Sequence, residues 1–251
     1  MAGIAPTNGH CTPCGKCRLR EQKGLRDFSE PELAFVRSLK TDEIHVPAGT
    51  TFMHQGERSE QLYTVLEGWA FRYKMLDDGR RQILNFALPA DLVGLQGSLM
   101  QEMEHSVEAL TDVSLCVFPR DKVWMLYSNI PSLAFDLTWL AARSEKLGDE
   151  HLLSVGQRTA LERTAYILLT LYVRAEEVGL VKGNTVPFPF TQQHLADTLG
   201  MSLVHTNKTL KRLYAANAIR WKAGAFELLD RARLANLAGG DIVVSRKRPF
   251  I

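Results

Sequence analysis

The stretch Thr191–Leu213, TQQHLADTLGMSLVHTNKTLKRL, restricts the possible folds more than any other part of the chain. It reads as two short helices joined by a tight turn at Gly200. Leu195, Ala196 and Leu199 give the first helix an apolar side, and Gly200 tolerates the positive φ that such a turn requires. Ser202 is placed to cap the second helix, its hydroxyl accepting an orphan backbone N–H. Leu203, Thr206, Leu210 and Leu213 then share one face at helical spacing. Val204, Asn207, Lys208 and Lys211 share the other. An exposed face with an amide and two ammonium groups suits the DNA major groove, where Asn pairs with an adenine edge and Lys reaches guanine or phosphate. An ordinary helical hairpin with a solvated basic face is the plainer alternative.

The charge distribution agrees with a nucleic-acid module joined to something else. Residues 160–251 hold 13 Lys or Arg against 7 Asp or Glu, whereas residues 1–159 hold 17 against 21. No stretch approaches the ~20 apolar residues needed to span a bilayer. The N-terminus lacks a charged n-region and a long apolar core, so no signal peptide is expected. The expectation is a cytoplasmic protein without membrane association. Its four cysteines are then reduced, and read as ligands or redox groups and not as structural disulfides.

Three of those cysteines, Cys11, Cys14 and Cys17, fall in the polar segment 1–28 as CTPCGKC. A C-x-x-C-x-x-C loop can wrap its sulfurs around one metal or cluster. The run lacks the x-x-x-C-P continuation of bacterial ferredoxins, so a fourth ligand must come from elsewhere, and Cys116 is the remaining cysteine. Arg18 and Arg20 follow directly and would favour thiolates. A zinc knuckle and incidental thiols on an irregular tail also fit this spacing.

Residues 29–130 read as a second unit. SEPELAFVRSLK predicts a helix with Ser29 as N-cap and Glu32 at N3, a capping-box spacing. From residue 42 to about 120, short β-rich runs alternate with turns, among them LYTVLEGWAFRYKM and HSVEALTDVSLCVF, and Asp78-Gly79 marks a hairpin. Many short strands with regular turns indicate a β-barrel or β-roll. Residues 131–155 then read as a long helix. Leu133, Leu137, Leu140, Ser144, Leu147 and His151 follow alternating spacings of four and three, a coiled-coil seam that predicts a homodimer axis. A helix packed only on its own β domain is the alternative.

A break is expected at Gly156-Gln157, followed by a helix over 159–175. Residues 186–190 resemble an edge strand, and Trp221–Leu229, with Ala223-Gly224 at its centre, a β-hairpin. Residues 156–240 thus form a winged helix-turn-helix, and 241–251 a basic, frayed tail free to touch phosphates.

This order of parts, over roughly residues 25–240, resembles the cyclic-AMP receptor protein / fumarate-and-nitrate-reduction regulator (Crp/Fnr) family of bacterial transcription factors. The resemblance rests on VLEGWAFRYKMLDDGRRQIL and LPADLVG, on LLSVGQRTALERTAYILLTL, and on FTQQHLADTLGMSLVHTNKTLKRL. It implies an α+β chain: a cyclic-nucleotide-binding-like β-roll, a long dimerisation helix and a C-terminal winged helix-turn-helix. The implied partners are a second copy, a palindromic double-stranded operator and RNA polymerase. The cyclic-nucleotide branch of the family carries Glu after the Gly of its phosphate-side loop and an Arg-Ser pair downstream. Here Leu95 follows Gly94 and the pair is His105-Ser106, so cyclic AMP is not the expected effector.

The oxygen-sensing branch holds a 4Fe–4S cluster with N-terminal cysteines and one cysteine inside the β-roll. Cys116 matches that internal position. Cys11, Cys14 and Cys17 resemble the N-terminal set with tighter spacing, which makes the four the expected cofactor ligands. By resemblance, Val204, Asn207 and Lys208 are the base-contacting positions, where the oxygen-sensing branch usually has Glu, Ser and Arg; Ser202, His205 and Lys211 complete the expected DNA-binding set. A shifted operator follows, because Val204 meets a thymine methyl and Lys208 is a point charge where Arg would be bidentate. No Ser-His-Asp, HExxH or Walker pattern occurs, so no enzyme is expected. The expectation is a homodimeric transcription regulator responding to oxygen or redox state through an iron–sulfur cluster. The alternative is the same fold without a cluster, responding to a small β-roll ligand or to thiol oxidation.

Overall fold

The computed structural model describes residues 5–6, 11–242 and 247–251. Part of the N-terminal segment expected to be irregular (1–4, 7–10) and part of the basic tail (243–246) lie outside the described residues.

A short strand β1 (Ala5–Pro6) leads to two 3-10 turns, Cys14–Lys16 and Arg18–Glu21, and to helix α1 (Glu30–Leu39). Its start is as the spacing predicts: the Ser29 N–H donates to Glu32 Oε2 at 2.7 Å within a complete capping box. Among the described residues nine strands, counting β1, then make two sheets. β2 (Asp42–Val46), β9 (Val113–Pro119), β4 (Gln61–Glu67) and β7 (Leu92–Val93) continue from β1 in the order β1-β2-β9-β4-β7. β3 (Thr51–Met53), β8 (Ser106–Ala109), β5 (Ala70–Met75) and β6 (Arg81–Ala87) make the other, in that order. The β5–β6 hairpin turns at Asp78-Gly79 with Gly79 at φ 84°. Helix α2 (Leu95–Met100) follows β7.

Alternation along β9 divides its side chains between two cores. Val113, Leu115 and Val117 enter the core between the sheets with Val46, Val65 and Val107. Cys116 and Phe118 point the other way, into a second core built from Leu19, Leu25, Phe28, Val36 and Leu39 of the N-terminal part. That second core also receives the long helix. After α3 (Val123–Asn129), α4 runs from Pro131 to Gly156, 26 residues or about 39 Å.

The expected dimer seam requires correction here. Leu133, Leu137 and Leu140 are buried in the chain's own second core, beside Phe28, Phe118 and Leu126. Ser144 is exposed and borders an open cavity between the β-roll and α4. Leu147 and His151 are half-buried and turn toward β6 and the helix-turn-helix domain; His151 Nε2 lies 3.3 Å from Gln82 Nε2. Over three heptads a 3.5-residue repeat and the stripe of an ordinary amphipathic helix nearly coincide, and here the stripe faces inward. The exposed large apolar residues of α4 lie elsewhere, at Phe135, Leu152, Leu153 and Val155.

Helix α5 (Ala160–Glu177) begins after a capped hinge, where Thr159 and Glu162 form a capping box and the Arg158 guanidinium stacks 4.0 Å from the Tyr166 ring. β10 (Thr185–Pro187), α6 (Gln192–Leu199), α7 (Leu203–Ala215), β11 (Ile219–Lys222), β12 (Ala225–Leu228) and α8 (Arg231–Ala238) complete the chain. The strands pair in the order β10-β12-β11, turning at Ala223 and Gly224, both with positive φ, as expected for the wing. This domain rests on the β-roll. Arg81 Nη2 donates to Asp197 Oδ2 at 2.9 Å, Gln82 Nε2 donates to the Thr198 carbonyl at 2.9 Å, and Phe71, Ile83 and Phe86 share a core with α5, α6 and the wing.

The tail is the second correction. It is not frayed. Arg248, Phe250 and Ile251 are buried against the β-roll and the N-terminal part. The Arg248 N–H donates to Gly24 O, and Arg26 N–H donates to Arg248 O, each at 2.8 Å. Gly24 has a steric role at this junction, because a Cβ there would lie 2.3 Å from the Glu177 carbonyl at the end of α5.

Candidate nucleic-acid interface and cysteine pocket

α6 ends in Gly200 at φ 61°, whose N–H donates to the Ala196 carbonyl, and α7 is capped by Ser202, whose Oγ accepts from His205 N–H at 3.2 Å. Both were foreseeable from Gly and Ser at those positions. Thr206, Thr209, Leu210 and Leu213 anchor α7 in the core. Leu203, expected on that buried face, is exposed instead: it is the first residue of the helix, ahead of the turn that makes the packing contact. Ser202, Val204, His205, Lys208 and Lys211 all face outward. Asn207 is half-buried, with its Oδ1 covered, so its amide is less available than the face pattern suggested. Lys222 at the wing tip and Arg212 are exposed cations absent from the expected set; a lysine beside the Ala223-Gly224 turn was the available signal. The result is a capped helix presenting cations and an apolar residue at its N-terminal end, beside a basic hairpin. That arrangement can enter a groove with the helix and touch phosphate with the wing.

The cysteines form a second candidate site. Glu43, Cys116 and Thr64 are direct neighbours across β2, β9 and β4, a row on the outer sheet face. Above that row is a cavity of about 260 Å³ lined by Cys14, Cys17 and Cys116, with Lys40, Glu43 and Thr64. The second and third thiols of the N-terminal run and a strand residue about a hundred positions away thus meet on one wall. Cys11 is exposed and lies off that wall. Among the described residues, no three His, Cys, Asp or Glu side chains are drawn close enough to hold a metal ion as they stand.

Burial pushes the Cys14, Cys17 and Cys116 thiols up, most strongly Cys116, while the Lys40 ammonium pulls each down. Lys40, joined by Arg37 at Cys14, and not Arg18 or Arg20, therefore supplies the positive charge that faces the sulfurs. Arg18 pairs with exposed Glu67, and Arg20 with Gly15 O and Asp27. Burial opposes the Lys40 charge, but Cys116, Cys11 and Glu43 raise its pKa. It donates to Thr12 O at 2.9 Å and Glu43 Oε2 at 3.2 Å.

A third feature is a cavity of about 450 Å³ between the β-roll and α4. Arg72, Gly94, Leu95, His105, Arg143 and Arg174 are among its walls. Burial, and then Arg72 and Lys74, lower the His105 pKa to about 4, so the ring is neutral at pH 7; its Nε2 is buried without a partner among the described residues.

Two family descriptions match the chain: a cyclic nucleotide-binding domain over residues 43–129 and a Crp-like helix-turn-helix domain over residues 162–237. The nitrogen fixation regulation protein FixK of Bradyrhizobium diazoefficiens is 32% identical over 233 residues, covering 92% of this chain and 95% of that one. The chain belongs to the Crp/Fnr family. The transcriptional activator protein FnrL of Cereibacter sphaeroides is 28% identical, covering 91% and 92%. The solved structure of FixK2 from Bradyrhizobium japonicum superposes with a TM-score of 0.71 at 27% identity, covering 81% of this chain and 98% of that one. The α+β architecture and the absence of an enzymatic role follow from this membership. The chain is a DNA-binding transcriptional regulator of the Crp/Fnr type. Among the described residues, no helix is long and apolar enough to cross a membrane.

Proposed function

We propose that this regulator responds to oxygen or redox state through a 4Fe–4S cluster held by Cys14, Cys17 and Cys116 with Cys11, and that it works as a homodimer on a palindromic operator. The observation that carries this reading is the convergence of Cys14, Cys17 and Cys116 on one cavity beside a lysine. The donor set suits iron in type, since thiolates are the usual ligands of such clusters and a neighbouring ammonium offsets their charge. Cys11 is exposed and outside the cavity lining, but it lies beside Lys40 and would complete the set. When bound, the group would supply an oxygen-labile link between the N-terminal segment and β9.

The chain's own residues would carry the signal. Cys116 and Phe118 share a core with Leu133, Leu137 and Leu140, so a change at that wall reaches α4 by direct packing. α4 ends at the hinge, where Arg158 ties Glu150 and Ser154 to the start of α5. The dimer face proposed here is the exposed stripe of α4 through Phe135, Ala142 and Leu152, at intervals of seven and ten residues, which replaces the buried seam. The two α7 helices would then lie about one DNA turn apart. RNA polymerase is the further partner.

A second reading has a specific observation behind it. Arg72 and the neutral His105 line the larger cavity beside Arg143 and Arg174, which pair with Glu177 and Asp91, and a regulator without a cluster could take a small ligand there. Leu95 and His105 replace the carboxylate and guanidinium a cyclic nucleotide would need, so cyclic AMP is not proposed.

The separating experiment is the iron and acid-labile sulfide content of protein purified without oxygen, with its visible spectrum. About four of each per chain, bleached by air, is expected. Colourless protein that binds DNA, after reconstitution has been attempted, would turn the search to the arginine-lined cavity.

A further inference from the structure

The strand row beneath the cysteine cavity touches the end of the chain. The Thr64 hydroxyl, next to Cys116 across the sheet, donates to the Ile251 carbonyl. Phe250 packs on Phe28 with ring centroids 4.8 Å apart, and Phe250 and Ile251 form part of the wall that the three cysteines share. Arg248 anchors the segment. It is wholly buried, its Nη1 lies 2.8 Å from Asp91 Oδ1, and its backbone bridges Leu25.

We propose that Arg248–Ile251 is a latch that closes the cysteine cavity and ties it to the helix-turn-helix domain. The first part follows from placement: with the latch seated, Cys116 is buried and Phe250 and Ile251 cover it on the side away from the sheet. The second part follows from reach. Ile242 packs against the core of the helix-turn-helix domain, and its carbonyl accepts from Arg231 Nη2 at 3.1 Å. Six residue steps separate it from Arg248, which span about 20 Å when fully extended. A larger displacement of that domain from the β-roll must unseat one end. The Arg248 end is held by buried contacts and the Ile242 end by half-buried ones, so domain position and cavity opening bias each other reciprocally. The latch is independent of any cluster.

Alkylation of reduced, metal-free protein by a maleimide tests this, with each cysteine followed by peptide mass spectrometry. Cys11 is exposed with or without the latch and serves as reference. A chain ending at Lys247 should raise the Cys116 rate relative to Cys11 by about tenfold or more, as expected when a local cover is removed. Phe250→Ala in the full-length chain keeps the Arg248 anchor, should raise the ratio several-fold, and decides the matter if the shorter chain does not fold. An unchanged ratio in a folded variant overturns the latch. An operator duplex selected from random sequences should accelerate Cys116 alkylation in the full chain and not in the shortened one. No acceleration in the full chain overturns the tie to the helix-turn-helix domain.

Discussion

Arg248 and Asp91 form an ion pair, with 2.8 Å between Nη1 and Oδ1, that joins the end of the chain to the loop before β7. Asp91 also accepts from Arg174 Nη2 of α5 at 2.6 Å and, through the same oxygen, from the Leu88 N–H at 2.7 Å. One carboxylate therefore balances two buried guanidinium groups from opposite ends of the second half of the chain. Burial opposes its charge, but Arg174 and Arg248 hold its pKa below the usual carboxylate range. Asp91→Asn removes the carboxylate that contacts both cations and leaves them the weaker pull of Glu177. A loss of about 3–5 kcal/mol is expected, the scale for breaking a buried pair, and a thermal or urea melt measures it. A loss within the range of ordinary surface substitutions would show that water already compensates the pair.

Acid sensitivity has a separate source in Glu32. Burial disfavours its charge, but Arg26, Ser132 and the Ser29 N–H together lower its pKa from 4.5 to about 2. A carboxylate with a depressed folded pKa stabilises fully above its unfolded value and loses that contribution as the pH falls through its folded one. The wild type should therefore lose stability between about pH 4.5 and 2 at this site. Glu32→Gln should flatten that limb of the stability profile while Gln keeps much of the capping box. Identical profiles for both proteins would place the acid sensitivity elsewhere.

Much of this architecture was legible because it depends on local rules. Gly200, Ser202, Ser29 with Glu32, and Asp78-Gly79 each satisfy a backbone requirement within a few residues, and each lies where its spacing predicts. The misread parts depend on distant partners. Leu133, Leu137 and Leu140 have the periodicity of a seam, but periodicity does not name what covers a face; Phe28 and Phe118 do so here. SRKRPFI reads as basic and terminal, yet Arg248 meets Asp91 and Phe250 meets Phe28, contacts that no window of sequence contains. At the cysteine cavity the sequence named Cys14, Cys17 and Cys116 but not the cation beside them, because Lys40 comes from the end of α1, and Cys11 lies off the wall.

The two faces of α4 make opposite demands on substitution. Leu137→Ala should destabilise the protein by about 2–5 kcal/mol, as deletion of a buried leucine does. Phe135→Glu combined with Leu152→Glu should leave the protomer's melting behaviour nearly unchanged and convert a dimer to a monomer by sedimentation. A dimer that survives the charged pair would move the interface off this stripe.

In the helix-turn-helix domain, phosphate and base contacts separate by salt dependence. Lys211→Ala should weaken binding to specific and unrelated duplexes alike and reduce the salt slope by about one. Lys208→Ala or Val204→Ala should alter the preferred sequence recovered by selection, costing about 1–3 kcal/mol on the preferred site. Equal losses on every sequence for Lys208→Ala would reassign it to phosphate.

The most direct test joins the two sites. The affinity of anaerobically purified protein for its selected operator should be measured before and after exposure to air, for the wild type and for Cys116→Ser. Affinity that falls on aeration in the wild type, and that is low and unresponsive in Cys116→Ser, is the expected result. A wild type indifferent to air, or a Cys116→Ser protein that keeps the full response, would contradict control of DNA binding by the cysteine pocket.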